Sequence, residues 1–109
     1  MKITTKVHLG SRCEVCSSTI VYLKAEGNYT RIYFNDGNTL LSSTTLGTLE
    51  QRLAPYNFFR ANRSTVVNLN CLDKILVYAE ECELLNKQNQ QHSIRLSRRR
   101  AEAFYTHVN

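Results

Sequence analysis

The chain has 109 residues, of which 42% are hydrophobic and 21% are charged, as in an ordinary soluble globular domain. No apolar run is long enough to cross a bilayer, and the N-terminus lacks the apolar region of a secretory signal, so a cytoplasmic protein is expected. Fourteen Lys and Arg against nine Asp and Glu give a net charge of +5, and nine of the fourteen cations are arginine. This balance favours an anionic partner, most often nucleic acid, and a solvated basic face is the alternative.

Short strands dominate the predicted secondary structure. Residues 19–25 and 28–34 are rich in β-branched and aromatic side chains, and the turn-prone Glu26-Gly27 separates them. The hairpin signal at 35–38 leads into a further strand, TLLS. Later strands are predicted at 64–69, 73–78, 82–86 and 92–96, with a polar turn at 87–90. We therefore expect one mostly β domain of small antiparallel sheets over residues 1–109.

One short helix is predicted in the middle of the chain. Its apolar stripe has the i, i+3, i+7 spacing of a buried helix face and consists of Leu46, Leu49 and Leu53. Thr44 or Thr45 is expected to cap its start, and Pro55 to end it.

A second helix is predicted after Ser97, its natural N-cap. Its buried face is expected to consist of Ala101, Phe104, Tyr105 and Val108. The first turn carries Arg98, Arg99 and Arg100, where the positive end of the helix dipole disfavours cations. A bound phosphate would remove this conflict, because the helix start and the arginines attract the same anion.

The stretch FFRANRSTVVNLN, residues 58–70, combines sheet-forming residues with four hydrogen-bonding side chains at positions 60–64. We predict that these polar residues form a loop at the tip of a buried element, anchored by the preceding aromatics. Two other polar segments also adjoin apolar elements. The three together are 28–31, 60–64 and 97–100, and they supply groups suited to base edges and phosphates.

Enzymatic motifs are absent from the sequence: His8, His92 and His107 are scattered, and no nucleophile elbow or phosphate-cradling glycine loop occurs. We therefore predict a protein that is not an enzyme and has no cofactor or small-molecule substrate.

The four cysteines do not form a complete metal site. Cys13-x-x-Cys16 has the spacing of half a zinc site, but no second pair follows, and Cys71 and Cys82 are isolated. A cysteine-based metal or redox protein is the weaker alternative.

A second alternative is a module that binds single-stranded nucleic acid. Tyr29, Arg31 and Tyr33 alternate along one predicted strand face, in a pattern that could stack bases. Half-buried packing within the sheet is the preferred explanation of these tyrosines.

Four segments together resemble the LytTR family of bacterial DNA-binding domains. In chain order they are IVYLKAEGNYTRIYF, LLSSTTLGTLEQRL, FFRANRSTVVNLNCLDKI and IRLSRRRAEAF, and the likeness covers roughly residues 7 to 106. The resemblance implies a fold of small antiparallel sheets that reads the major groove of duplex DNA with loops. It also implies a transcription regulator that binds promoter direct repeats, with a second copy of itself on the DNA. Such domains are often joined to a phosphorylated receiver of a two-component system, so the chain is expected to be a stand-alone regulator or part of a response regulator.

The resemblance also implies site residues. Thr30, Arg63 and Arg98 match the base-reading positions of the three contact loops. The other expected DNA contacts, to phosphates or in support, are Asn28, Tyr29, Arg31, Arg60, Asn62, Ser64, Ser97, Arg99 and Arg100. Two positions depart from the family pattern, since Asn62 stands where many members have histidine and Thr65 where an aromatic or aliphatic residue is common.

Overall fold

The structure is a computed structural model that describes residues 6–10, 13–76 and 80–108. The strands in these residues are β1 (Lys6–His8), β2 (Glu14–Cys16), β3 (Ile20–Glu26), β4 (Tyr29–Phe34), β5 (Thr39–Ser42), β6 (Phe58–Asn62), β7 (Thr65–Asn68), β8 (Leu72–Leu76), β9 (Glu81–Leu85) and β10 (Gln91–Arg95). The helices are α1 (Leu46–Leu53) and α2 (Arg98–Val108). The predicted fold class, mostly β with two helices, is confirmed.

The strands form three antiparallel sheets. The largest has the order β5-β4-β3-β7-β6, and the two smaller sheets are β10-β9-β8 and β1-β2. In the middle of the large sheet, Tyr22 of β3 pairs with Tyr33 of β4 on one side and with Val67 of β7 on the other.

Tight turns join the strands where the sequence predicts them. Between β4 and β5, the amide of Phe34 donates to the carbonyl of Asn38 at 2.9 Å, and Gly37 adopts a φ of 90°. Between β3 and β4, Gly27 adopts a φ of 61°, a conformation that a side chain disfavours.

The large sheet separates two hydrophobic cores. On one face, its apolar side chains pack with α1 and the β1–β2 hairpin; on the other face they pack with the three-stranded sheet and α2. Strand β7 shows why both faces are apolar: Val66 belongs to the first core and Val67 to the second, because successive side chains of a strand point to opposite faces.

Both helices lie where the sequence predicts them. Thr45 caps α1, accepting a hydrogen bond from the amide of Thr48, and the predicted leucine stripe of this helix is buried. Helix α2 begins after Ser97, whose carbonyl accepts from the amides of Arg100 at 3.0 Å and Ala101 at 2.9 Å. Of its predicted buried face, Ala101 and Phe104 are buried, and Tyr105 and Val108 are partly buried.

The predicted loop at 60–64 is wrong for its first half. Phe58–Asn62 forms an edge strand, β6, and only Arg63 and Ser64 make the turn to β7. The strand tolerates polar residues because Phe58 and Ala61 fill the two cores while Arg60 and Asn62 find hydrogen-bond partners.

Strands β1 and β2 are not predicted by the sequence. Predicted strand 73–78 is observed as β8, and its last two residues lie outside the described part of the chain.

Candidate nucleic-acid interface

The second and third polar segments meet in one cleft. This arginine cleft has a volume of about 480 Å³, and its lining consists of Arg60, Arg63, Ser97, Arg99 and Arg100. Four of these five residues are guanidinium cations, and none is an acid. A concave surface of this composition concentrates positive potential and attracts anions.

Backbone hydrogen bonds bring the two segments together although they are far apart in the sequence. The amide of Ser97, at the start of α2, donates to the carbonyl of Ala61 in β6 at 3.1 Å. The side-chain amide of Asn62 donates to the carbonyl of Arg95, at the end of β10, at 2.6 Å. The position of the helix start is therefore fixed relative to the end of β6.

Arg60 and Asn62 hold the turn that follows them. The Arg60 guanidinium donates to the carbonyls of Asn62, at 3.0 Å, and of Arg63. Oδ1 of Asn62 accepts from the amide of Ser64 at 2.9 Å and from its hydroxyl at 3.2 Å. The opposite side of the turn is held by the amide of Ala25, which donates to the carbonyl of Ser64 at 2.8 Å. These bonds give the turn one defined conformation.

Arg60 also makes an ion pair that sequence reasoning missed. Its Nη1 lies 2.7 Å from Oε1 of Glu50 in α1, and the two side chains are 18% and 35% exposed. Because three of its donors are engaged within the protein, Arg60 is placed to position the turn rather than to reach an external phosphate. The sequence does not predict this ion pair, because Glu50 is ten residues from Arg60 and belongs to a different element, helix α1.

Arg63 occupies the tip of the turn, and its side chain is exposed. Within the described residues its guanidinium has no hydrogen-bond or ion-pair partner, and the same holds for Arg99 and Arg100. Arg98 is 91% exposed and lies 3.8 Å from a carboxylate oxygen of Glu80, a separation at which an exposed pair contributes little. The cations at the cleft rim are thus available to an external anion.

The first polar segment lies at the same end of the large sheet, in the turn between β3 and β4. Residues Ala25 and Thr30 pair across this hairpin, and Lys24 pairs with Thr65 directly after the Arg63 turn. The turn between β3 and β4 and the Arg63 turn between β6 and β7 therefore belong to neighbouring hairpins and lie at the same end of the sheet. Asn28 is exposed, and the Tyr29 side chain is 50% exposed.

Thr30, which the resemblance places among the base-reading residues, is buried in the structure. It is 0% exposed, and its hydroxyl donates to the carbonyl of Thr44 at 2.8 Å. The alternation of β4 explains this, because Thr30 and Ile32 face the core while Tyr29 and Arg31 face outward. Of these two neighbours, Tyr29 is therefore the exposed one, and base contact by Thr30 stays an untested prediction.

Arg31 and Tyr33 are both engaged inside the protein. Nε of Arg31 donates to the carboxylate of Glu26, and this bond raises the pKa of the guanidinium. The Tyr33 ring stacks on Tyr22 with centroids 4.1 Å apart. Burial, followed by the neighbouring Tyr33, raises the pKa of Tyr22 to about 12. This packing weakens the stacking surface on which the single-strand alternative depends.

The cysteines lie away from the arginine cleft. Burial raises the pKa of Cys71, and burial followed by Glu81 raises that of Cys82 to about 11, so their surroundings disfavour the reactive thiolate form. Within the described residues, no three His, Cys, Asp or Glu side chains are grouped as metal ligands.

Neither described helix has the length and apolar content needed to span a membrane.

Comparison with known proteins shows similarity to one family of DNA-binding domains. The family model of the LytTr DNA-binding domain matches residues 11–109. Among solved structures, the chain is similar to the LytTr DNA-binding domain of a Bacillus cereus protein described as a methyl-accepting/DNA response regulator. That likeness has a TM-score of 0.72 and 20% sequence identity, and it covers 100% of this chain and 99% of the other. No curated protein matches the chain significantly.

Proposed function

Because the chain belongs to the LytTr family of DNA-binding domains, we propose that it binds duplex DNA sequence-specifically as a bacterial transcription regulator. The single observation that supports this proposal most strongly is the arginine cleft, in which the tip of a β-turn and a helix start present cations together. Guanidinium groups suit both kinds of contact that duplex recognition requires, namely bidentate bonds to guanine edges and bonds to phosphates.

The turn at Arg63 is the element that enters the major groove in this proposal. Its side chain is exposed at the tip, and the bonds from Arg60 and Asn62 hold the backbone beneath it. A rigid support reduces the entropy lost when Arg63 binds a base edge. Arg98 at the start of α2 supplies the second base-reading side chain.

Phosphate contacts come from the residues around these two. Arg99 and Arg100 lie in the first turn of α2, where the helix dipole adds to the attraction of an anion. Ser64 follows Arg63 in the turn, Ser97 precedes Arg98 at the helix start, and Asn28 and Tyr29 extend the surface to the next hairpin. In this assignment Arg31, Arg60 and Asn62 support the surface through their internal bonds.

The wider biological setting is also part of the proposal. We propose that two copies bind promoter direct repeats, and that the domain acts in the cytoplasm within a two-component response regulator. The only support for these finer features is membership of the family.

The test is a salt titration of affinity for duplex and single-stranded DNA of the same sequence. For B-form DNA, log K falls with log[salt] by about 0.9 per phosphate contact, and for single strands by about 0.7. We expect the duplex to bind more tightly with a steep slope. Tighter binding to the single strand would favour the alternative nucleic-acid module, and absence of binding to either would contradict the proposal.

A further inference from the structure

We infer that a second basic cleft, on the other side of the Arg63 turn, contacts the phosphate backbone of the opposite DNA strand through Lys24 and Arg95. This inference rests on the proposed function and deepens it. It assigns DNA contacts to two residues in addition to the three polar segments of the sequence, and it predicts how the duplex sits across the turn.

The second cleft has a volume of about 260 Å³ and lies between the large sheet and β10. Its polar lining includes Lys24 of β3, Ser64 of the turn, and Ser93 and Arg95 of β10. The rings of Tyr22 and Tyr33 form one wall. A cleft with two cations, the hydroxyls of two serines and a threonine, and no acidic lining residue suits an anion better than an apolar ligand.

The turn separates this cleft from the arginine cleft. Arg63 lines the arginine cleft, whereas the adjacent Ser64 lines the second cleft. The same bonds that fix the turn also fix the second cleft, since Asn62 binds the carbonyl of Arg95 and Ala25 binds that of Ser64. An exposed arginine on a rigid turn therefore has cations on both sides of it.

Neither Lys24 nor Arg95 is neutralised inside the described protein. Both side chains are exposed, and neither has a carboxylate within 4.0 Å among the described residues. Two acids adjacent to them in the sheets make other bonds. Glu26, on the strand of Lys24, binds Arg31, and Glu81, opposite Arg95 in the sheet, accepts from the hydroxyl of Ser93 at 3.2 Å.

The geometry of duplex DNA explains the need for cations on both sides. The major groove is about 12 Å wide and is bordered by the phosphates of both strands. A turn that enters this groove meets one backbone on each side. The arginine cleft can contact one strand, and Lys24 with Arg95 can contact the other.

The test uses a random-sequence duplex of about 25 base pairs and measures the salt dependence of affinity by fluorescence anisotropy. Lys24→Gln and Arg95→Gln should each reduce the slope of log K against log[salt] by about 0.9, and the double variant by about 1.8. Lys24→Arg and Arg95→Lys retain the charges and should retain the slope.

The matched control removes the same formal charge elsewhere. Lys74 is exposed in edge strand β8, and Lys87 is exposed in the turn at the far end of β10, where its amide binds the carbonyl of Asn35. The double variant Lys74→Gln/Lys87→Gln should keep the slope of the unmodified protein. A melting temperature for each variant verifies that it is folded.

Two results would overturn the inference while leaving the proposed function intact. One is an unchanged slope in the Lys24→Gln/Arg95→Gln variant, and the other is an equal decrease in the Lys74→Gln/Lys87→Gln control, which would indicate net charge rather than local contact. If the unmodified protein does not bind the duplex at all, the proposed function fails and the inference fails with it.

Discussion

The substitution Asn62→Ala tests whether internal hydrogen bonds build the turn that presents Arg63. Asn62 makes three side-chain bonds: it donates to the carbonyl of Arg95 at 2.6 Å and accepts from the amide and hydroxyl of Ser64 at 2.9 and 3.2 Å. A protein hydrogen bond contributes a net 0.5–1.5 kcal/mol, and water can replace part of this at a half-exposed site. We expect the free energy of unfolding to fall by about 2 kcal/mol.

Urea denaturation followed by circular dichroism measures this loss, and the melting temperature should fall by about 8 °C. Asn28→Ala is the matched control, since Asn28 is exposed in the turn between β3 and β4. Its effect should stay within about 0.5 kcal/mol. Asn62→Asp separates the two functions of the amide, because it keeps the acceptor for Ser64 and loses the donor to Arg95. If Asn62→Ala costs no more than Asn28→Ala, the turn does not depend on these bonds.

The remaining predictions concern the exposed cations and the buried thiol. Arg63→Ala should reduce the preference for a selected site over scrambled duplex by about 1–3 kcal/mol with little change in melting temperature; an unchanged preference would assign Arg63 to phosphate binding or structure. Arg99→Glu combined with Arg100→Glu should leave the melting temperature unchanged or higher, because acids suit a helix start, while DNA affinity collapses. A markedly lower melting temperature would show that these arginines stabilise the fold. Cys82 should be the least reactive thiol toward a disulfide reagent at pH 8, since its pKa is about 11 and it is buried; rapid labelling in the folded protein would contradict this placement.

The sequence predicted the strands well where apolar residues alternate or glycine marks a turn. TLLS was predicted at the bounds of β5, and the other predicted strands differ from the observed ones by one residue at most ends. The leucine stripe predicted α1 for the same reason, since a periodic apolar face is a local property of the chain.

The sequence failed where the deciding contacts are distant. Nothing local indicates that Arg60 pairs with Glu50 and binds two carbonyls of the next turn, so its polar side chain was interpreted as part of a loop. Strands β1 and β2 have only three residues each, too few for alternation to be visible.

The orientation of Thr30 could not be predicted for a different reason. The family resemblance gives a position but not an orientation, and the pleat of β4 turns this side chain into the core. By contrast, the conflict between three arginines and the dipole of α2 was visible in the sequence. In the structure Arg98 and Arg99 are exposed and Arg100 is partly buried, and a phosphate contact at this helix start stays a prediction.

The most direct test of the central claim is a selection of binding sites from a pool of random duplexes with the unmodified protein. We predict that one sequence is enriched, that it occurs as two copies in the same orientation, and that Arg63→Ala loses the preference at one or two of its base pairs. A pool that shows no enriched sequence after repeated rounds, although the protein is folded and retains duplex, would contradict sequence-specific recognition by the arginine cleft.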